Sequence, residues 1–320
     1  MQRENAAHFE LVKMQNRRII RNLLRQESPL SIAKAASKAG LSYPTVSGLL
    51  KELASSGEAL VSDIQDVAGG RPGICYELNP SYQYALTAFF DDWSIKAEVY
   101  DSFGKPVKPY SLEHLSSGTD AAEIVSFIST IQEEYPSLSA VSIGIPGAVY
   151  GTEIRHLPKF PRLLGNHLAE TIRSELNLDV YIENDTNAIA LAEANQWTDF
   201  AHIIYVDEDT CIGVGIVLQG QLFTGNAGCA GEMDYLCPHL EDPEDTFVTA
   251  ILALTCVLNL PDILISGTFC TQENVNRIRN RLCERLPKEL IPRLHVIEDR
   301  NTLYTQGLLR KILTVWSDRM

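Results

Sequence analysis

Residues 31–53 read SIAKAASKAGLSYPTVSGLLKEL and predict two short helices joined by a tight turn. Ser31 is a suitable N-cap for the first helix, and Gly40 ends it, because glycine readily adopts the left-handed conformation. Ser42 caps the second helix, and Pro44 sits in its first turn, where a missing N–H costs little. The buried face of the second helix is expected to consist of the apolar residues at helical spacing: Val46, Leu49, Leu50 and Leu53.

The remaining side chains of this turn and second helix are small, hydroxylated or basic. They are Ser42, Tyr43, Pro44, Thr45, Ser47, Gly48 and Lys51. Such residues suit a helix that enters the major groove of DNA. We therefore predict a DNA-binding helix-turn-helix, with an ordinary helical hairpin that binds nothing as the alternative.

The residues before this stretch predict a further helix with a basic side. Residues 16–25 place four aliphatic residues on one face and four arginines on the other: Ile19, Ile20, Leu23 and Leu24 against Arg17, Arg18, Arg21 and Arg25. Arginines here could contact DNA phosphates, which give affinity without sequence information. A solvated basic face is the alternative for any one of them.

The residues after this stretch predict a wing. Two short strands, residues 59–61 and 75–78, flank the glycine-rich tip VAGGRPG at 67–73. Three helices and such a hairpin make a winged helix. Arg71 at the tip could enter a narrow minor groove, where arginine is attracted. The alternative for Arg71 is a flexible loop.

Charge is distributed unevenly along the chain. The net charge is −14, yet residues 1–72 carry ten Lys and Arg against seven Asp and Glu. A mildly basic head on a strongly acidic body suits a protein that touches DNA with one end. No apolar run is long enough to span a bilayer, the N-terminus has no signal peptide, and seven cysteines fit reduced thiols. These features predict a cytoplasmic protein with no membrane partner.

Strands and helices alternate after residue 79 and predict an α/β body with a mixed sheet. Predicted strands include residues 140–145, 180–182, 202–206 and 213–218, with a helix at 120–135 among the connections. Asn79 and Pro80 are expected to form a hinge. The predicted domains are therefore a DNA-binding domain at 1–78 and a body at 79–320.

The segments NRRIIRNLLRQESPLSIAKAASKAGLSYPTVSGLLKEL (16–53) and GGRPGICYELNP (69–80) resemble the N-terminal region of ROK (repressor, ORF, kinase) transcriptional regulators. The resemblance continues to the C-terminus. It implies a winged helix-turn-helix followed by the actin-like ATPase fold, which is ribonuclease H-like. That body has two lobes with mixed sheets and a cleft between them.

Within the body, VYIENDTNAIALAE (180–193), GNAGCAGE (225–232) and GIPG (144–147) resemble the family's cleft segments. The resemblance implies a sugar site that includes Gly147, Asn184, Asp185 and Glu232. In kinases of the family, the aspartate matching Asp185 takes the proton from the sugar hydroxyl. From the residues alone, Asn184 or Asp185 could instead simply cap the next helix.

Two departures from the family's pattern concern ATP. The first phosphate turn is normally glycine-rich, but here it is FDDWS at 90–94, which contains the bulky Trp93. The second is DTCIG at 209–213, behind Asp207 and Glu208. Bulk and carboxylates oppose triphosphate binding, on which phosphoryl transfer depends. We therefore expect no kinase activity, no cofactor and no catalytic residue.

A third departure concerns zinc. Tyr235 stands where the family places a metal-ligating histidine, and Cys237 with His239 is too sparse for a four-ligand site. The chain then passes from 241–245 into a helix at 247–258, so some tens of residues of the family's second lobe are missing. No metal site is expected, and the second lobe is expected to be shortened.

These observations predict a transcriptional regulator, a repressor, that binds double-stranded operator DNA as a homodimer. A sugar or sugar derivative in the cleft would be its effector. Two other readings are a ROK-type sugar kinase with a DNA-binding head and a regulator whose body binds no ligand.

Overall fold

A computed structural model of the chain describes residues 2–64, 73–194, 196–206, 211–233, 236 and 242–319. The residues divide into two compact units. The first contains Met1–Ala85, Val99–Val107 and Leu313–Met320, and the second contains Leu86–Glu98 and Lys108–Ile312.

The first unit begins with three helices and a three-stranded sheet. The elements are α1 (Gln2–Glu27), β1 (Leu30–Ser31), α2 (Ile32–Ala39), α3 (Tyr43–Ser55), β2 (Ala59–Ile64) and β3 (Gly73–Leu78). The sheet order is β1-β3-β2, and both pairings are antiparallel. The predicted tip at 67–73 lies almost wholly outside the described residues.

The helix boundaries around the turn follow from the predicted caps. The Ser31 side chain accepts the N–H of Lys34, and Gly40 ends α2 with φ +65°. The Ser42 side chain accepts the N–H of Thr45, so α3 begins one residue later. These caps satisfy backbone groups that the helices leave unpaired, which confirms the prediction of two helices and a tight turn.

The four predicted apolar residues of α3 form its buried face. Val46, Leu50 and Leu53 are fully buried and Leu49 is 4% exposed. They pack in one cluster with Ile20 and Leu24 of α1. The inner face of α3 therefore forms part of the apolar core of the first unit.

The structure corrects the predicted outward position of Arg21. Arg21 is only 8% exposed, and its guanidinium binds the buried carboxylate of Glu58. Helix α1 places Arg21 beside Ile20, at the border of the apolar cluster, and Glu58 precedes β2. The prediction failed because Glu58 is distant in sequence and could not be recognised as a partner.

The second unit contains two five-stranded sheets with helices. Its elements in chain order are β4 (Tyr84–Asp91), β5 (Ser94–Tyr100), β6 (Pro106–Leu112), α4 (Ala121–Glu134), β7 (Leu138–Ile145), β8 (Ala148–Tyr150), β9 (Glu153–His156), α5 (His167–Leu176), β10 (Asp179–Asn184), α6 (Asp185–Glu193), β11 (Phe200–Val206), β12 (Cys211–Leu218), β13 (Gln221–Leu222), α7 (Pro243–Leu258), β14 (Asp262–Ser266), α8 (Gln272–Cys283), β15 (Arg293–Val296) and α9 (Arg300–Arg319). The first residues of β4 and β6 belong to the first unit. The last residues of β5 and α9 also belong to the first unit.

Both sheets position the site described below. The first has the order β10-β7-β4-β5-β6, with β10 parallel to β7. The second has the order β13-β12-β11-β14-β15, in which β11 is antiparallel to β12 and parallel to β14. Mixed pairing confirms the predicted α/β class. None of the helices described is long and apolar enough to cross a membrane.

Candidate functional site

The outer face of α3 is the first candidate site. Tyr43 is 56% exposed, and Pro44, Thr45, Gly48 and Lys51 are also exposed. Ser47 is half-buried. Because the apolar face of α3 is turned inward, this polar face is presented to solvent, as the sequence pattern predicts.

Two of these residues are engaged in starting the helix. The Ser42 hydroxyl accepts the N–H of Thr45 at 3.3 Å and lies 2.7 Å from the Thr45 hydroxyl. The side chains of Tyr43, Ser47 and Lys51 have no hydrogen bond or ion pair within the described residues. The side chains best placed to contact an external partner are therefore these last three.

The arginines proposed for DNA contact have a different placement. The Arg17 guanidinium donates to Glu58 through Nη2 at 3.1 Å, and its side chain is 32% exposed. Part of the Arg17 guanidinium is therefore already used inside the first unit. Arg71 lies outside the described residues, so its role stays a prediction.

The cleft residues of the second unit meet at the carboxyl ends of β7 and β10. The parallel register places Glu183 beside Gly144 and Asn184 beside Ile145. The Asn184 amide donates to the carbonyl of Gly147 at 2.8 Å. The two segments that the sequence singled out are therefore joined directly.

Asn184 also caps α6, as the alternative reading proposed. Its side-chain oxygen accepts the backbone N–H of Asn187 at 3.0 Å and the hydroxyl of Thr186 at 2.5 Å. With its amide bound to Gly147, little of Asn184 remains for a ligand. Its observed contacts hold the turn together.

Asp185 is the first residue of α6 and the chemically unusual group of the cleft. One carboxylate oxygen accepts the N–H of Thr186 at 2.8 Å. Burial raises the pKa of Asp185 to about 6, and the nearby Glu232 carboxylate adds to this effect, while Thr186 and Arg300 oppose it. Near neutral pH, Asp185 can therefore accept or donate a hydrogen bond.

Glu232 is brought near Asp185 by the glycine-rich segment 225–232. Gly231 has φ +95°, and a Cβ there would lie 1.8 Å from the carbonyl oxygen of Val214. Only glycine permits this close approach to β12. The charge of Glu232 therefore acts on Asp185 and raises its pKa.

Helix α9 supplies two residues that no sequence motif indicates. The Tyr304 ring packs on Gly144, where a Cβ would lie 2.3 Å from the ring, and its hydroxyl is buried without a partner among the described residues. The charge of Arg300, one turn earlier, acts on both Tyr304 and Asp185. A signal existed in Gly307, an isolated glycine inside a helix. A Cβ there would lie 1.7 Å from the carbonyl oxygen of Ala188.

The turn between β4 and β5, where a kinase would hold phosphate, is filled by contacts within the chain. Trp93 meets the buried Phe160 edge-on, with ring centroids 5.5 Å apart. Asp92 accepts from Lys159 at 3.1 Å, and Asp91 pairs with Lys96. This turn therefore presents a packed ring and paired carboxylates, with no glycine.

The second expected phosphate turn and the expected zinc region are only partly described. Residues 207–210, Tyr235, Cys237 and His239 lie outside the described residues. Gly213 is described, and a Cβ there would lie 2.3 Å from the Thr186 side chain. This glycine therefore serves the packing of β12 on α6. No cluster of metal ligands occurs within the part of the chain that is described.

Residues 117–244 match the model of the ROK family. The chain is therefore similar to ROK family proteins over this segment. It is 25% identical over 244 residues to the xylose repressor of Bacillus subtilis, covering 73% of this chain and 63% of that protein. It is also 25% identical over 245 residues to the DNA-binding transcriptional dual regulator NagC of Escherichia coli, covering 72% and 59%. The chain thus spans about six-tenths of the length of these relatives.

Solved structures of ROK proteins share the fold. A ROK family transcriptional regulator, a homologue of the E. coli MLC protein, superposes with TM-score 0.69 at 17% identity, covering 94% of this chain and 96% of that one. A ROK hexokinase from Thermus thermophilus superposes with TM-score 0.55 at 16% identity, covering 73% and 99%. The ROK fold implied by the sequence is confirmed, and it is common to regulators and kinases.

Proposed function

We propose that this ROK protein is a cytoplasmic DNA-binding transcriptional repressor whose affinity for its operator is controlled by a small ligand in the cleft. The ligand would be a sugar or sugar derivative. Residues 1–78 would bind DNA and residues 79–320 would bind the ligand. A homodimer would place two heads on a palindromic operator.

The observation that carries this proposal is the outer face of α3. Tyr43, Ser47 and Lys51 are held on a rigid, capped helix, yet they contribute nothing to the apolar core. Arranged on a helix-turn-helix, such side chains can reach base edges and phosphates of the major groove. The chain is similar to a protein named as a xylose repressor and to NagC, which is named as a DNA-binding transcriptional dual regulator.

A sugar kinase is the second candidate, because the fold is shared with a ROK hexokinase and Asp185 is present in the cleft. The packing of Trp93 and the paired Asp91 and Asp92 argue against it, because a phosphate needs bare backbone N–H groups at this turn. We propose that the protein is not an enzyme. Absence of phosphate transfer from ATP to any sugar that binds would support this.

The decisive experiment is selection of bound DNA from random sequences, repeated with candidate sugars. We expect one palindromic sequence to be enriched and one sugar to release it. Enrichment that no sugar changes would favour a regulator whose body binds no ligand. A thermal-shift screen checks this independently, because a specific ligand raises the unfolding midpoint by mass action.

Variants of Ser47 test the assigned face. Ser47→Glu places a carboxylate in the major groove, where it removes a base contact and is repelled by the phosphates. It should weaken operator binding by roughly 10-fold or more, since one base contact is worth about 1–3 kcal/mol. Ser47→Ala is the matched control and should lose less. A gel-shift titration measures both, and circular dichroism should give both the wild-type midpoint. Wild-type binding by Ser47→Glu would contradict the placement of α3 in the groove.

A further inference from the structure

Three arginines of α1 gather around one carboxylate in the first unit. Arg21 donates to Glu58 Oε2 through Nη2 at 2.6 Å and to Oε1 through Nε, while Arg17 donates to Oε2 at 3.1 Å. Both oxygens of Glu58, which is 5% exposed, are thus already occupied by arginine. Three of the roughly four acceptor positions of this carboxylate are therefore used by Arg17 and Arg21, and no hydrogen bond from Arg25 to it is present among the described residues.

Arg21 has a donor left over. The residue is 8% exposed, and its Nη1 is buried without a hydrogen-bond partner among the described residues. The Nε of Arg17 is likewise buried and unpartnered. Leaving a buried donor unsatisfied is costly, and more so when the group is charged, so an acceptor is expected at this place.

The local charge is also unbalanced. Arg25 lies one helical turn after Arg21 and lines the same cavity. Partial burial and the charge of Arg21 lower the pKa of the Arg25 guanidinium, and Glu58 only partly opposes them. Three guanidinium groups therefore share one carboxylate, although like charges four residues apart on a helix repel each other.

The cavity limits what could balance this charge. It has a volume of about 20 Å³ and is lined by Arg21, Arg25, Glu58, Asn79, Tyr82 and Ser102, among others. That volume holds one particle of about the size of a water molecule. A water could accept from Arg21 Nη1 but brings no charge. A phosphate group, free or in DNA, is larger than this enclosed volume.

We propose that this cavity, which we call the α1 anion site, binds a single halide-sized anion, chloride in the cell. Arg21 Nη1 would donate to it, and Arg25 would supply charge from the solvent side. Guanidinium groups are suited to anions because they are permanently charged and weakly hydrated. The anion would join α1 to residues 79–83, the segment in which the sequence predicts a hinge, and would stabilise the first unit.

Crystals of the full chain grown with sodium bromide in place of sodium chloride test the site directly, because bromide is located by its anomalous scattering. We expect a peak within hydrogen-bond distance of Arg21 Nη1. A site with no anomalous signal, containing only water, would overturn the proposal. A phosphate or sulfate bound there in place of bromide would also overturn it, since the size argument would be wrong.

Hydrogen exchange of the full chain gives a second test in solution. In chloride, compared with gluconate at matched ionic strength, amides of residues 17–25 and 79–83 should exchange at least several-fold more slowly, since binding stabilises only the folded state. Arg25→Gln removes a cavity-lining charge without breaking the Glu58 ion pairs and should abolish this difference. Arg18→Gln, an exposed arginine of the same helix, is the matched control and should keep it.

The two variants also separate the site from a general salt effect. Equal exchange of the wild type in both salts would contradict the proposal. An unchanged chloride effect in Arg25→Gln, or an equal loss in Arg25→Gln and Arg18→Gln, would place the anion elsewhere. Neither result depends on DNA or on a sugar, so failure here is distinguishable from failure of the proposed function.

Discussion

The outer face of α3 and the cleft of the second unit both present polar side chains, but the two are connected to the fold in different ways. On α3, Tyr43, Ser47 and Lys51 project from a helix that is held by its opposite, apolar face. In the second unit, Asn184 of the cleft segment and Asp92 of the β4–β5 turn are bound within the chain. The comparison indicates that the α3 face is free to serve a partner, whereas Asn184 and Asp92 serve the fold.

The largest expected effect comes from the inner side of α3. Leu50 is fully buried in the head core, so Leu50→Ala should destabilise the head by about 2–5 kcal/mol through lost burial and a cavity. Urea unfolding followed by circular dichroism measures the change. DNA binding should fall only in proportion to the unfolded fraction. A loss of less than about 1 kcal/mol would show that the head core is not packed as described.

Asp185→Asn tests whether the buried carboxylate in the cleft lowers the stability of the folded protein. The pKa of Asp185 is raised from 3.8 to about 6. Between these two pH values, the folded protein therefore retains a proton that the unfolded chain releases. The contribution of Asp185 to the free energy of unfolding falls as the pH rises through this range. At pH 7 and above, the variant should be more stable than the wild type by about 1–3 kcal/mol.

The wild-type pH profile alone would not isolate this effect. Burial, with a smaller effect of Arg300, lowers the pKa of His202 to about 3, so this group contributes stability that is present above its ordinary pKa and lost as pH falls toward 3. The difference between wild-type and variant unfolding energies at each pH cancels the His202 contribution. Asp92→Asn, at the exposed Lys159 pair, is the control and should change stability by less than about 1 kcal/mol. A pH-independent difference for Asp185→Asn would contradict the assigned pKa.

Trp93→Ala tests whether the β4–β5 turn is a packing element. Loss of the edge-on contact with Phe160 should cost about 0.5–1.5 kcal/mol beyond the lost area, although Trp93 is 41% exposed. Val257→Ala, at a side chain that is 79% exposed, should change stability by less than about 0.5 kcal/mol. The Trp93→Ala variant should still transfer no phosphate from ATP. Equal stabilities of the Trp93→Ala and Val257→Ala variants would contradict a packing role for Trp93 in this turn.

Gly48→Ala should give the smallest change in stability, and it should change stability and operator binding in opposite directions. A methyl group at Gly48 meets nothing within 4 Å, so the substitution should stabilise α3 by about 0.5–1 kcal/mol. If α3 enters a groove, the added methyl should nevertheless weaken operator binding, because it lies on the face that meets DNA. A variant that is more stable and binds its operator as well as the wild type would indicate that another surface makes the contact.

The parts of this fold that could be predicted are those fixed by nearby residues. Ser31, Gly40 and Ser42 determine the ends of α2 and α3 through contacts within four residues, so the turn was placed correctly. The β7–β10 edge was also predictable, because strand ends in α/β proteins gather polar residues. The mixed-sheet class followed from the alternation of strands and helices.

Contacts between distant residues could not be predicted in the same way. Arg21 was placed outside because Glu58, its partner, is 37 residues away. Tyr304 reaches Gly144 from a helix at the far end of the chain, so no local pattern connects them. The capping role of Asn184 was foreseen only as an alternative, since one residue type serves caps and ligand sites equally well.

Strand β6 has a consequence for the protein's behaviour at high concentration. It lies at one edge of the first five-stranded sheet, and most of its residues are exposed. Pro106 and Pro109 interrupt its row of backbone donors, and Lys108 adds charge. An edge of this composition is a poor template for a strand from another molecule, so it should protect the chain from edge-to-edge aggregation during expression and storage.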